Sequence, residues 1–485
     1  MRDAVICEPL RTAVGGFGGA FRDVPVTELA ATVIRELIGR TELPAGEIED
    51  VILGQGYPNG EAPALGRVAA LDAGLGIEVP GLQVDRRCGA GLQALIIGCM
   101  QVQTGATELV LAGGAESMSQ AEFYATGMRW GVKGAGVKLD DRLARGRVTA
   151  GGINHPVPGG MIETAENLRR QYQIPRAEQD EFALRSHRLA VAAQQDGTFA
   201  QEIVPVLLKS RKEEKLIDRD EHPRADTSLE RLGALRAIMG RTDPDATVTA
   251  GNASGQNDGA AVCIITHPEK AAELGLKPFA RLVSWAVAGV APETMGIGPV
   301  PSTKKALERG GLTLADMDLI ELNEAFAAQA LAVLREWDLP DGLERVNVHG
   351  SGISLGHPFG ATGGRIMTTL LRELARRGGA LRDDPPEPGG ARGLVYGQGP
   401  AWEDHPRRAR GHRDRRASAA AQPAAGDHRD RGARQAARPT DGGGDPEDQG
   451  VACPEPQPDP GLSRHRGARG GYGTRRGGWG AASHR

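Results

Sequence analysis

The run Val84-Asp85-Arg86-Arg87-Cys88-Gly89-Ala90-Gly91-Leu92-Gln93-Ala94-Leu95 decides the reading of this 485-residue chain. The apolar stretch Gly81-Leu82-Gln83-Val84 predicts a strand, and residues 92–102, apolar and rich in good helix formers, predict a helix. Cys88 therefore falls on a strand-to-helix turn, at a helix N-terminus, with Arg86 and Arg87 just before it. Unpaired amide donors, the positive end of the helix dipole and two cations all favour a thiolate, the nucleophilic form of cysteine. Gly89, Ala90 and Gly91 present little side chain, so a substrate can approach the backbone there. The alternative reading of the same residue is a small buried hydrophobe, the usual state of a free cysteine.

Outward from this turn, strand-like runs alternate with helix-like segments, the pattern of an α/β fold. Strands are expected at 3–7, 51–54 and 109–112, the last running into the loop 113–119. From about 120 to 245 the character changes to many charges, Gly/Pro-rich loops and two helices, 164–173 and 176–195, around Pro175. This reads as an excursion, a lid or substrate-covering subdomain. After Pro278 the alternation resumes with strands expected at 280–285, 318–322 and 345–348. The last leads into the glycine-rich stretch 350–364, which contains His357, and then into an amphipathic helix over 366–376. Strand, glycine-rich turn and helix thus occur twice, around Cys88 and around His357, which suggests two similar halves.

Composition divides the chain near Asp404. From there to Arg485 the only large aliphatic residues are Val451 and Leu462, and the only aromatics are Tyr472 and Trp479. Such a segment cannot bury enough apolar surface to offset chain entropy, so disorder is expected over 404–485. It carries sixteen Arg, no Lys and a net charge of +6, leaving −10 on the rest, which argues against a nucleic-acid-binding core. A lysine-free Arg/Ala/Gly/Pro mixture is also what a GC-rich gene gives when read out of frame. The cysteines Cys7, Cys88, Cys99, Cys263 and Cys453 are widely spaced and odd in number, which suits a reducing cytoplasm and neither a disulfide framework nor a zinc site. With a strand expected from residue 3, no signal peptide is expected, and no apolar run reaches the ~20 residues of a membrane span.

Other groups carry chemistry. His357 sits before a stiffening proline, either as a general base toward a thiol or as a structural loop histidine. Asn323, at the end of a strand, either places a water or donates to an oxyanion, or caps a helix. The small-residue loop 249–259 either admits a narrow ligand such as a pantetheine arm or is a plain tight connection. His349 and His357 lack further ligands, so no metal is expected.

Taken together, the Cys88 turn, 113–119, Met161 with Thr164-Ala165-Glu166-Asn167, 249–259, 295–301, Asn323-Glu324-Ala325-Phe326 and 356–364 resemble the thiolase family, from the N-terminus to about residue 399. The resemblance implies two similar α/β halves, 1–270 and 271–400, in a five-layered αβαβα sandwich, with a loop domain inserted at about 120–245. It implies Cys88 as the nucleophile taking an acyl group from acyl-CoA or 3-ketoacyl-CoA. His357 would activate it and, with a water held by Asn323, form an oxyanion hole. Ser254, Met161, Ala325 and Arg224 match positions lining the coenzyme A site, Arg224 toward the nucleotide end. No cofactor beyond coenzyme A thioesters is implied; the partners would be acyl-CoA and CoA, and the assembly a homodimer or homotetramer active in fatty-acid metabolism. Two other readings are a ketoacyl synthase-like condensing enzyme and a non-catalytic CoA-binding member of the same fold.

The resemblance breaks near the C-terminus. Thiolases move the α-proton of acetyl-CoA with a second cysteine on a Cys-x-Gly-Gly-Gly-like loop. Here Arg392-Gly393-Leu394-Val395 runs straight into Tyr396-Gly397-Gln398-Gly399-Pro400, and no cysteine occurs from Ile264 to Ala452. A missing closing strand and impaired turnover are therefore expected.

Overall fold

The computed structural model describes residues 2–134, 136–209, 213–339, 341–378, 392–396 and 400–403. The segment expected to be disordered, 404–485, lies outside the described residues, as does Cys453.

The first half contains β1 (Val5–Thr12), α1 (Val26–Thr41), β2 (Asp50–Gly54), α2 (Leu65–Asp72), β3 (Gly81–Val84), α3 (Ala90–Thr104) and β4 (Leu109–Ser117). The excursion follows with α4 (Gly160–Tyr172) and α5 (Arg176–Gln195), and β5 (Asn257–Thr266) closes the half. The second half contains β6 (Pro278–Trp285), α6 (Pro299–Gly310), β7 (Leu319–Leu322), α7 (Ala327–Trp337), α8 (Phe359–Arg376), β8 (Arg392–Tyr396) and β9 (Pro400–Glu403).

The strands run in the order β7-β8-β9-β6-β1-β5-β4-β2-β3. The five strands β1, β5, β4, β2 and β3 belong to the first half, and the two halves join where β1 pairs antiparallel with β6. Alternation along each strand sorts side chains to the two faces. Val5, Val51, Leu53, Leu109, Leu111, Val262 and Ile264 face α1 and α2, whereas Ile6, Ile52, Val110, Ala112, Cys263 and Ile265 face α3 and α8. Leu319 joins that same middle cluster, and Ile320 and Leu322 face a third cluster built by α4, α5 and α7. Outer helices, sheet, middle helices, sheet and outer helices are the five layers the sequence leads one to expect. The excursion is thus more than a cover, because α4 and α5 supply Leu168, Phe182, Ala183 and Leu184 to the outer layer of the second half.

Two expectations need correction. Residues 345–348 form no strand beyond a single bridge between Ile320 and Val346. Asn347 takes a positive φ of 47° so that its side chain can accept from Leu322 N and donate to Leu322 O and Glu324 Oε1, tying off the end of β7. The helix α8 is amphipathic in sequence as expected, and it is also buried almost all round because it lies in the middle layer between helices and strands. Nor is the closing strand missing: β9 pairs antiparallel with both β8 and β6.

Candidate active site

Strand β3 ends at Val84 and a single 3-10 turn, Arg87–Gly89, carries Cys88 into α3. Across from it, α8 begins two residues after His357. The two helix starts touch through their main chains: a Cβ on Gly91 would lie 2.4 Å from Gly360 O, and one on Gly363 would lie 2.2 Å from Leu92 N. Only glycine permits so close an approach. It is this contact that brings the Cys88 turn and the His357 turn to one place.

Cys88 is partly exposed as a residue, but burial pushes its thiol up to about 12, outweighing the Cys88 amide and the Arg87 charge that pull it down. This reverses the thiolate expected from the sequence. Burial is the larger effect, and the Arg87 charge offsets only part of it. Arg87 donates to Gly56 O, sits 5.4 Å over the Tyr57 ring and lies 4.0 Å from Asp85, so much of its charge is engaged before it reaches the sulfur. The buried Glu116 carboxyl adds a further upward push.

His357 is buried, and its imidazole is held down to about 3 by burial and by the Arg365 guanidinium. It is a neutral ring at physiological pH. Its tautomer follows from its neighbour: Thr362 Oγ1 donates to Pro358 O at 2.8 Å and lies 2.6 Å from His357 Nδ1. A hydroxyl has one proton, so Nδ1 is the N–H donor to Thr362 and Nε2 carries the free lone pair. Asn323 Nδ2 stands 3.4 Å from Nε2, while the Asn323 Oδ1 atom is buried with no protein partner among the described residues.

Asn257, which sequence reading left inside a small-residue loop, fixes this turn. Its Oδ1 accepts from His357 N at 2.8 Å, its Nδ2 donates to Gly15 O, and Gly356 at φ 91° packs against its amide. No local pattern could have singled it out, since the contacts span a hundred residues or more.

The expected coenzyme A residues gather on one side. Ser254 N donates to Ala325 O at 2.9 Å, and Ala253 bridges to Phe326. Ala253 and Phe326 pack with Ile162 and Ala165 of α4, next to Met161. Arg224 is exposed; its amide donates to His187 Nδ1, and His222, two residues before it, packs on Gly255. Ser254, Ala325, Met161 and Arg224 therefore border one region next to Asn323.

An α/β sandwich with a cysteine and a neutral histidine at facing helix starts defines a class of cysteine-dependent transferases. Comparison makes it specific. The thiolase N-terminal domain matches residues 4–269 and the thiolase C-terminal domain matches 276–382. The chain is 45% identical over 376 residues to an acetyl-CoA acetyltransferase of Rhizobium meliloti, covering 77% of this chain and 93% of that protein. It is 45% identical over 377 residues to a beta-ketothiolase of Cupriavidus necator, with the same coverage. The crystal structure of the Bacillus anthracis acetyl-CoA acetyltransferase superposes with a TM-score of 0.76 at 42% identity, covering 83% of this chain and 98% of that one. The chain belongs to the thiolase family and is an acyltransferase. Among the described residues no helix is long and apolar enough to cross a membrane.

Proposed function

We propose that this protein makes or cleaves short 3-ketoacyl-CoA thioesters through an acyl-Cys88 intermediate, in a ping-pong cycle. The observation that carries the reading is the main-chain contact of Gly91 with Gly360, which sets the Cys88 turn at the start of α3 beside the His357 turn at the start of α8. His357 Nε2 takes the Cys88 proton as sulfur attacks the thioester or 3-keto carbonyl. The tetrahedral oxyanion is met by donors in the place where Asn323 Nδ2 points. When an acyl-CoA is the donor, the C–S bond to coenzyme A breaks and the CoA thiolate takes the proton back from His357. Thioester exchange is nearly balanced in energy, so most of the barrier lies in the two tetrahedral states that such donors stabilise. Ser254, Ala325 and Met161 would admit the pantetheine arm, and the exposed Arg224 would meet its phosphates.

Cleavage of the C2–C3 bond of a 3-ketoacyl-CoA, and its reversal in condensation, also needs a proton at C2. The chain has no cysteine from residue 264 to 452 to carry it, and the thiolase C-terminal match ends at 382, before β8. Acylation of Cys88 from acetyl-CoA should therefore outlast turnover. A general acid–base step supplies about 10²–10⁴-fold, so acetoacetyl-CoA thiolysis should be slower than acylation by about that factor. The experiment compares, on the same full-length protein, the rate of acetyl-Cys88 formation from acetyl-CoA with steady-state thiolysis. Equal rates would refute the impairment; absence of any Cys88-dependent acyl transfer would refute the function.

A further inference from the structure

Glu116, the penultimate residue of β4, is fully buried, and the chemistry above assigns it no part. Among the described residues its carboxylate accepts from three main-chain amides. Oε2 takes Gly56 N at 2.7 Å and Gly360 N at 3.0 Å, and Oε1 takes Tyr57 N at 3.3 Å. These donors belong to opposite sides of the site. Gly56 and Tyr57 follow β2, and both meet Arg87, the residue before Cys88: Gly56 O accepts from its guanidinium, which lies over the Tyr57 ring. Gly360 opens α8, three residues after His357. Its neighbour Phe359 stacks on Tyr57 at 5.4 Å and lies 4.6 Å from the His357 ring. One side chain thus ties the loop that holds Arg87 to the helix start that holds His357.

A carboxylate suits this position because it only accepts, and its two oxygens offer sites enough for three N–H donors. Burial pushes the Glu116 carboxyl up to about 7, against the downward pull of the three amides. The side chain also fits only because Gly56 lacks a Cβ, which would come within 3.0 Å of Oε2 and 2.8 Å of Phe359 Cβ.

We propose that Glu116 is the positioning residue that locks the His357 turn onto the Cys88 turn and so holds thiol and imidazole in register for proton transfer. This rests on the reading of Cys88 and His357 as the reacting pair. A displacement of about 1 Å at such a pair costs about 10²-fold in rate.

The test follows acetyl transfer from acetyl-CoA to Cys88 by quenched flow and peptide mass, in the full-length wild type, Glu116→Gln and Glu116→Ala, with a thermal melt of each. Loss of all three acceptors in Glu116→Ala should slow acylation at saturating substrate by about 10²-fold. Glutamine keeps one oxygen for Gly56 and Gly360, so Glu116→Gln should recover part of the rate and slow it only about tenfold. In both, the half-saturating substrate concentration should move by less than about threefold, because the group holds the reacting pair and not the substrate. A folded variant that acylates Cys88 at the wild-type rate, or one whose whole defect lies in half-saturation, overturns the proposal. If Glu116→Ala does not fold, the near-isosteric Glu116→Gln decides alone by the same criterion. A wild type that never gains acetyl while both variants fold would instead overturn the acyl-transfer reading on which the proposal stands.

Discussion

In the proposed cycle Cys88 and His357 act as a pair in which neither partner is charged at pH 7, since burial raises the thiol to about 12 and lowers the imidazole to about 3. The nucleophile is then created during transfer, when Nε2 takes the proton, instead of waiting as a stored thiolate. Two outcomes follow at this scale. Alkylation of Cys88 by iodoacetamide depends on the thiolate fraction, so with a raised pKa its rate should climb about tenfold per pH unit from 7 to 9. A rate already level at pH 7 would show a resting thiolate and contradict this picture. Thr362 sets the tautomer, so Thr362→Val should leave the fold intact and slow Cys88 acylation by about tenfold, within the range of general-base effects. Wild-type acylation in that variant would mean that the Thr362 hydroxyl does not control the ring. The sequence placed Cys88 at a helix start correctly, but it did not reveal the burial that outweighs the pull of Arg87 on the thiol. Adjacency in sequence says nothing about where a guanidinium points, and Arg87 points to Gly56 and Tyr57.

At the scale of elements, the site exists because α3 and α8 begin in main-chain contact. The glycines of 360–364 were visible in the sequence as a flexible turn, yet their use is steric. A Cβ on Gly360 would lie 2.4 Å from Ala115 O and 2.6 Å from Gly54 O, with no flexible side chain to give way. Gly360→Ala should therefore destabilise the protein by about 1–3 kcal/mol, the usual range for overpacking, and slow acylation more than it raises half-saturation. Chemical denaturation and acylation kinetics of that variant check it; unchanged values for both would show that the helix starts can separate at no cost. The strands β1, β2, β4 and β7 were legible because strands buried on both faces read as short continuous apolar runs. Residues 345–348 misled because the alternating run Arg345-Val346-Asn347-Val348 looks the same whether it pairs or merely ties off a neighbour, as Asn347 does for β7. Glu116 and Asn257 were illegible for a related reason: their partners lie 59 to 244 and 100 to 242 residues away, and no local pattern encodes such pairs.

For the whole molecule, the two halves and the excursion are fastened by buried charge as well as by the core. Arg11 of β1 is fully buried, donating to Glu202 Oε1 at 2.6 Å and to both oxygens of Asp220 at 2.7 and 3.0 Å. Thr369 of α8 donates to the same Glu202 oxygen, so strand, excursion and middle helix share one network. Arg11→Met would leave two buried carboxylates without their cation, and should cost about 3–5 kcal/mol in urea unfolding. A variant as stable as the wild type would show that this network is dispensable. The five-layer architecture and the family were both legible in the motif order, and the comparisons agree with them. The strand β9 was not, because the missing cysteine suggests loss of the strand as well, whereas β9 still pairs with β6.

The central claim is that the Cys88 sulfur accepts an acyl group. Incubating the full-length protein with acetyl-CoA, digesting it and weighing the peptide that contains Cys88 tests this directly. The peptide should carry one acetyl group, removed on adding CoA and never formed in Cys88→Ser or, at comparable speed, in His357→Ala. A wild-type peptide that stays at its unmodified mass would contradict the account.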